Sequence, residues 1–345
     1  MRCKTFLLCA IVSFFIASCT LTVRLRVIKP AEIALKPHIK TIAVIDRTKP
    51  SNKVLNVVEG VITGEGIFQD AQASQETVSG FIDKLKGSPR FEVVRTGVRL
   101  RGSRVGKNFT KPLPWHEIEK YCSKHNADAV ASLELFDTDF IITDGTKEVT
   151  RKDDNGNEYK ETVFTAQGVA KVKVGFRIYD PTNKEIADEF VFNRSRTWIA
   201  EGITVKEALA ALINRRDAVK KVSYTIGTLY GYKISPNWVT VKRMLYKKSK
   251  HSPDIALGRR RADVNDWEGA AVAWEKATNS SHRETAGKAA YNLAVAKEVL
   301  GGLDEAKLWA QKAYTDFGNK DAKNYVRVLN YRILEEERLK EQMGE

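Results

Sequence analysis

The chain has 345 residues, of which 57 are Lys or Arg and 43 are Asp or Glu, and its formal net charge is +14. A chain of this length is typical of about two domains, each with a sizeable core. Beyond the first eighteen residues no apolar run approaches the ~18–20 residues of a membrane helix, so the sequence excludes a protein with several membrane-spanning helices.

The first eighteen residues have the pattern of a secretory signal peptide. A basic start precedes the apolar run Phe6–Ile16, and small residues follow it. Residues 16–19, Ile-Ala-Ser-Cys, resemble a bacterial lipobox, in which the cysteine is diacylated and becomes the new N-terminus. We therefore expect residues 1–18 to be removed, Cys19 to carry lipid, and residues 19–30 to form a short lipidated tether to the membrane.

The residues after Cys19 indicate which membrane would hold the protein. They contain neither the Asp that favours retention in the inner membrane nor an acidic cluster typical of surface export. The resemblance therefore implies the periplasmic face of the cell outer membrane. There the positive charge suits anionic lipid or glycan, whereas nucleic acid is not an expected partner. Once the leader is removed and Cys19 acylated, Cys122 is the only free thiol, so no intramolecular disulfide is expected.

Residues 31–235 predict an α/β or α+β domain, a mixed sheet with flanking helices. The first half alternates strands and helices, which favours partly parallel pairing. The expected elements are a strand over 40–46, a helix over 70–86, a strand over 91–95, a helix over 115–126 and a strand over 129–136.

The second half of this domain favours antiparallel pairing. Asn-Gly within residues 153–157 predicts a hairpin turn. Strict alternation over residues 171–178 predicts a half-buried strand that pairs with residues 186–192. A capping box formed by Thr204 and Glu207 opens a helix that we expect to continue to about residue 230.

Residues 236–345 predict an all-helical domain with an internal repeat of 36 residues. Small or aromatic residues recur at the same offsets in both copies. The matched positions are Leu257, Gly258, Ala270, Trp274 and Ala277 in the first copy, and Leu293, Ala294, Ala306, Ala310 and Ala313 in the second. The pattern resembles the tetratricopeptide repeat, in which small residues lie where paired helices touch.

The sequence offers no convincing catalytic, metal or cofactor site. His116-Glu117 begins like a zinc-protease helix, but Lys120 stands where the second histidine is required. Cys122 and His125 share a helical face, yet a zinc site needs three or four convergent ligands, and Cys122 is more typical of a small buried hydrophobe. We therefore expect no enzyme activity, no metal and no cofactor.

Four segments resemble an uncharacterised family of bacterial envelope lipoproteins that combine an α/β domain with a tetratricopeptide-like tail. They are residues 40–47 (KTIAVIDR), 54–66 (VLNVVEGVITGEG), 127–129 and 234–238 (ISPNW). The family is known only as domains of unknown function, so the resemblance implies an architecture and a compartment but no activity.

Two functions follow as expectations. The first is a non-enzymatic outer-membrane lipoprotein that acts as a scaffold and binds an envelope protein in the repeat, with Tyr291, Asn292 and Lys297 in the partner groove. The alternative is a periplasmic small-ligand or glycan-binding lipoprotein. Its expected ligand site combines a glycine stretch with a basic loop, and its residues are Gly64, Gly66, Arg99, Arg101 and Arg104.

Overall fold

The computed structural model describes residues 20–49, 65–102 and 109–345. The chain divides into two compact units. Among the described residues, the sheet unit comprises those within Ile28–Trp238 and Arg338–Glu345, and the helical unit comprises residues 20–27 and Val239–Glu337. The expected boundary near residues 235–236 lies close to the observed one.

The described residues contain a mixed sheet and a separate all-helical region, as the sequence predicts. The strands are β1 (Thr20–Lys29), β2 (Thr41–Lys49), β3 (Glu92–Arg101), β4 (Ala129–Lys152), β5 (Glu158–Asp180), β6 (Glu185–Gly202) and β7 (Asn237–Tyr246). The helices are α1 (Glu65–Lys86), α2 (Trp115–His125), α3 (Val205–Ala211), α4 (Arg215–Ile234), α5 (Asp254–Asp263), α6 (Trp267–Thr278), α7 (Arg283–Val299), α8 (Leu303–Thr315) and α9 (Lys320–Met343). None of the helices in the described ranges has the length and apolar character needed to cross a membrane.

The sheet unit is built on five strands in the order β3-β2-β4-β5-β6. Strand β2 pairs in parallel with β3 and with β4, whereas β4–β5 and β5–β6 are antiparallel. Helix α1 connects β2 to β3, and α2 connects β3 to β4. The strand–helix alternation therefore predicted the parallel half, and the alternating pattern after it predicted the antiparallel half.

Two layers of helix cover the sheet. Helices α1 and α4 pack on one face, where the rings of Phe81, Phe176 and Tyr230 stack with centroids 4.7 to 5.4 Å apart. Helix α2 packs on the other face, where Ile118 and Cys122 are buried. The alternation of side chains along each strand supplies apolar residues to both layers.

The helix expected from Thr204 to about residue 230 is two helices, so that expectation was wrong. Thr204 does cap α3, since its hydroxyl accepts a hydrogen bond from the Glu207 amide at 3.2 Å. The chain then leaves the helix at Leu212, and Asn214 caps α4 by accepting from the Asp217 amide at 2.9 Å. Asn214 is a second N-cap residue within the helical sequence pattern, and a new helix therefore begins after it.

Several strands extend further than the sequence indicates. Residues 20–29, expected within a tether, form β1, and residues 237–246, expected within a helical domain, form β7. Residues 95–101 of the expected basic loop belong to β3. There Val98 and Leu100 pack beside α2, and Arg99 on the opposite face pairs with Asp46. Successive side chains of this segment thus make apolar contacts on one face and charged contacts on the other, which is the pattern of a strand.

The helical unit buries the small residues that recur in the sequence, whereas Leu257 is half-buried. Gly258 of α5 lies against the ring of Trp274 in α6, so close that a Cβ atom would come within 2.5 Å of the indole nitrogen. The next pair of helices places Ala294 of α7 and Ala306 of α8 in the same core, both with no exposed surface. The small residues therefore lie where neighbouring helices approach closely.

Candidate binding site in the helical unit

Helix α7 holds the end of strand β7 through one amide side chain. Asn292 is fully buried. Its Oδ1 accepts a hydrogen bond from the Tyr246 backbone N–H at 2.8 Å, and its Nδ2 donates to the Tyr246 carbonyl at 2.9 Å. One side chain thus satisfies both backbone groups of one residue in an extended segment.

A buried ion pair holds the same strand three residues earlier. Arg243 donates from Nε and Nη2 to the Glu298 carboxylate at 2.6 and 2.7 Å, and the Tyr325 hydroxyl donates to Glu298 at 2.7 Å. The Glu298 side chain is 1% exposed. Two-point contacts of this kind fix orientation as well as position.

These contacts show where the predicted partner residues lie. Tyr291 and Asn292 are buried against Tyr246 of the chain's own β7, so neither side chain is open to a partner. The Tyr291 ring packs edge-on against Tyr246 at 5.5 Å, and burial raises the pKa of Tyr291 to about 12. Lys297 lies elsewhere on α7 and pairs with Glu305 at 2.6 Å. Sequence analysis missed this contact because β7 was not expected.

An open cavity of about 700 Å³ lies beside the Tyr246 ring, between the starts of α7 and α9. Most of the residues around it are polar or charged. The lining residues are Tyr246, His282, Arg283, Glu284, Gly287, Lys288, Phe317, Gly318, Asn319, Lys320 and Asp321.

The acidic groups of this cavity are already bound within the protein. Lys288 donates to Glu284 at 2.5 Å, and this hydrogen bond lowers the pKa of Glu284. The Tyr246 hydroxyl donates to Asp321 at 2.5 Å, and burial, together with that hydrogen bond, raises the pKa of Tyr246. Glu284 is therefore neutralised by Lys288, whereas Asp321 keeps its negative charge but has one oxygen engaged by Tyr246.

The remaining cations are not neutralised in the same way. Arg283 uses its Nε to donate to the Asp316 carbonyl at 3.1 Å, which leaves its terminal nitrogens without a carboxylate partner in the described part of the chain. Lys320 forms no ion pair with any described residue. The two helices that begin here also present their positive ends. The cavity therefore has an excess of available positive charge.

One histidine among the described residues, His282, lines the cavity. His282 stacks on His251 with a centroid distance of 3.8 Å and an angle of 14° between the planes. No group of three or more His, Cys, Asp or Glu within the described ranges could hold a metal ion.

The alternative ligand site predicted from the sequence is only partly described. Gly64 and Arg104 lie outside the described residues, and Gly66 is in the first turn of α1. Arg99 pairs with the buried carboxylate of Asp46 at 3.1 Å, and Arg101 is exposed at the end of β3. Among the described residues of this predicted ligand site, Arg99 is therefore already engaged in an ion pair within the protein.

The histidine and cysteine residues of α2 do not converge. Cys122 is buried, as the sequence predicts for a small hydrophobic residue. Burial, with smaller effects from Asp128 and Asp180, raises the pKa of Cys122 to about 11. A thiol with such a pKa is a poor nucleophile near neutral pH.

Two family models match the chain. One, described as Domain of unknown function (DUF8603), matches residues 39–246, and the other, Domain of unknown function (DUF6340), matches residues 256–336. No curated protein matches the chain.

Two solved structures show distant similarity. The PelC dodecamer from Paraburkholderia phytofirmans is 13% identical with a TM-score of 0.25, and the match covers 62% of this chain and 99% of that one. A neuraminyllactose-binding hemagglutinin homolog from Helicobacter pylori is 12% identical with a TM-score of 0.25, covering 59% of this chain and 86% of that one. At these TM-scores we transfer no property of either protein.

Proposed function

Because the chain belongs to the family described as Domain of unknown function (DUF8603), membership brings no activity with it, and we propose a function from the cavity of the helical unit. The protein is a non-enzymatic outer-membrane lipoprotein, acylated at Cys19 on the periplasmic face. It acts as an envelope scaffold whose tetratricopeptide-like helical unit binds an acidic segment of a protein partner.

One observation carries the proposal, namely the charge available in the cavity of about 700 Å³. Glu284 and Asp321 are bound internally, while Arg283 and Lys320 lack carboxylate partners among the described residues. Asp and Glu side chains of a partner would supply the missing carboxylates. Charge-assisted hydrogen bonds between arginine and carboxylate are stronger than hydrogen bonds between neutral groups. Complementary charge also favours selection of the correct partner.

The repeat supports the helical part of the proposal. The small residues that recur every 36 positions are buried at equivalent places in successive helices, as tetratricopeptide-like packing requires. Helical repeats of this kind commonly present a binding surface formed by neighbouring repeats.

Photo-crosslinking in intact cells tests the proposal. Phe317 lines the cavity, so p-benzoylphenylalanine in its place should form an adduct with an envelope protein, and the crosslinked peptide should be rich in Asp and Glu. The same residue in place of Tyr159, which is 48% exposed in the sheet unit, serves as the control position. Adducts of equal yield at both positions, or none at Phe317, would contradict the proposal.

Charge reversal gives a second test of the same cavity. Arg283→Glu with Lys320→Glu should abolish the adduct at position 317, because the variant would repel an acidic segment. Lys206→Glu with Arg215→Glu changes the net charge equally on the exposed surface of the sheet unit and should leave the adduct unchanged. An adduct that survives the cavity double variant would show that acidity is not what the site recognises.

The small-ligand or glycan alternative stays a prediction. A ligand that binds the native state should raise the melting temperature in proportion to its occupancy. A thermal-shift screen of glycans and nucleotides that moves the melting temperature, and loses that effect in Arg101→Ala, would favour this alternative over the scaffold.

A further inference from the structure

The two-stranded sheet formed by β1 and β7 has an apolar face and a cationic face. Leu25 and Val27 of β1, like Leu245 of β7, are buried. The side chains that alternate with these buried residues point to the opposite face of the sheet, since successive side chains of a strand alternate. We call these exposed residues the cationic face. Its members are Thr22, Arg24, Arg26, Thr240 and Lys242.

The cationic face is not neutralised by its own strands. Neither β1 nor β7 contains Asp or Glu. Arg24 and Lys242 have no side-chain hydrogen bond or ion pair with any residue in the described ranges. Arg24 and Lys242 therefore place two available positive charges on one exposed face of a small sheet.

The cationic face lies close to the expected acylation site along the chain. Strand β1 begins at Thr20, directly after Cys19, so no flexible segment separates the expected acylation site from the sheet. At about 3.3 Å per residue, Arg24 and Arg26 lie within roughly 17 and 23 Å of Cys19 along the strand. If Cys19 carries acyl chains in the bilayer, β1 must lie at the headgroup layer.

We propose that the cationic face is a membrane-contact surface that binds anionic phospholipid headgroups. The proposal rests on the acylation of Cys19 proposed above. Each Lys or Arg near an anionic membrane strengthens binding about fivefold, so Arg24 and Lys242 together contribute about 25-fold. The lipid and this face then hold β1 at two points, which limits rotation about the anchor.

Vesicle binding of an unlipidated chain tests the face directly. A chain from Thr20 to Glu345 retains every described element, and its cooperative melting followed by circular dichroism verifies that it folds. It should sediment with phosphatidylglycerol–phosphatidylethanolamine vesicles at low salt, and it should dissociate at high salt because screening weakens exposed charge interactions. Pure phosphatidylcholine vesicles should not bind it.

Substitutions separate this face from the general positive charge of the protein. Arg24→Gln with Lys242→Gln should weaken binding to the anionic vesicles about 25-fold. Lys206→Gln with Arg215→Gln removes the same charge from the surface of the sheet unit and should change binding less than threefold. Equal losses in the two double variants, equal binding to phosphatidylcholine, or no binding at low salt would overturn the proposal.

The outcome does not depend on acylation, because the chain tested begins after Cys19. Failure of the anchor would appear instead as absence of palmitate from the full-length protein in cells, and failure of the partner cavity as absence of the crosslink at position 317. The three results are therefore distinguishable.

Discussion

The buried amide of Asn292 is the single residue on which the attachment of β7 to α7 depends most. Asn292→Ala would leave the N–H and the carbonyl of Tyr246 without partners in the core. Each buried group left unsatisfied costs about 1–3 kcal/mol, so we expect the free energy of unfolding to fall by about 2–4 kcal/mol. Urea unfolding of the chain from Thr20 to Glu345 measures this change.

Asn330→Ala is the matched control for that experiment. Asn330 is exposed on α9, where the same substitution should change the free energy of unfolding by no more than about 0.5 kcal/mol. If Asn292→Ala were equally harmless, the strand would not be held by this side chain.

Cys122 makes a second prediction at the scale of one residue. With a pKa of about 11, roughly one thiol in a thousand is ionised at pH 8. In the chain that starts at Thr20, Cys122 is the only cysteine. A disulfide reagent should therefore react with it slowly in the native protein and rapidly in denaturant. Immediate reaction of the native protein would show that the thiol is accessible.

The same group makes stability depend on pH. The folded protein holds the thiol proton of Cys122 more tightly than an ordinary cysteine of pKa 9.0 does. The contribution of the protonated thiol to the free energy of unfolding is therefore complete below about pH 9 and is lost as the pH rises to about 11. Cys122→Ala should lose this part of the pH dependence. Comparison of the two unfolding free energies across that range isolates it from other titrating groups.

At the scale of elements, the contact between α1 and α4 depends on two glycines. A Cβ atom on Gly227 would lie 1.9 Å from the Thr77 carbonyl oxygen, and one on Gly80 would lie 2.1 Å from the Tyr224 carbonyl oxygen. Both obstacles are backbone atoms, so the helices must separate to relieve them. Gly227→Ala should therefore lower the free energy of unfolding by about 3 kcal/mol or more.

Gly87→Ala provides the comparison for that prediction. The nearest atom to a Cβ on Gly87 is 3.5 Å away, an ordinary contact at the end of α1. Calorimetry should give a melting temperature close to that of the unsubstituted chain for Gly87→Ala and a clearly lower one for Gly227→Ala. Equal melting temperatures would mean that the helices have room to move apart.

The sequence predicted elements whose signals are local. The Thr204 cap and the Asn-Gly turn each lie within a few residues, and the structure contains both. The strand predicted over residues 171–178 is also present, but its half-buried pattern holds only at its start, because residues 175–178 are all buried. The full length of β4 and β5 was not predictable from hydrophobic pattern, because their outer ends are polar on both faces. Cross-strand ion pairs, such as Lys160 with Glu148 at 3.0 Å, replace apolar contacts there.

The candidate site shows the same limit more clearly. Tyr291 and Asn292 were identified as groove residues from their place in the repeat, but both are buried against Tyr246 of β7. Arg243 interrupts the apolar alternation of β7, and its partner Glu298 is 55 residues away. From the sequence alone Arg243 would be expected to face solvent. In the structure its side chain is largely buried and paired with the distant carboxylate of Glu298, and only the tertiary structure reveals that pairing.

At the scale of the whole molecule, the proposed attachment to the membrane has two parts of different strength. Acyl chains contribute about 0.8 kcal/mol for each buried methylene, so several chains anchor the protein almost irreversibly. The cationic face contributes a weaker and salt-sensitive interaction. The two parts can be separated, because one requires the thiol of Cys19 and the other requires only residues that follow it.

Cys19→Ser is the substitution that tests the anchor. Serine has no thiol to accept the diacylglyceryl group, and because that modification precedes cleavage of a lipoprotein leader, the full-length variant should remain uncleaved and should not incorporate labelled palmitate. The chain that begins at Thr20 should instead be extracted from membranes by high salt, since charge contacts are screened while an acyl anchor is not. Fractionation of cells that express each form, with the unsubstituted full-length protein as the control, measures both effects. If the chain from Thr20 stayed with membranes at high salt, some feature within residues 20–345 would anchor it without lipid, and the proposed role of Cys19 would be wrong.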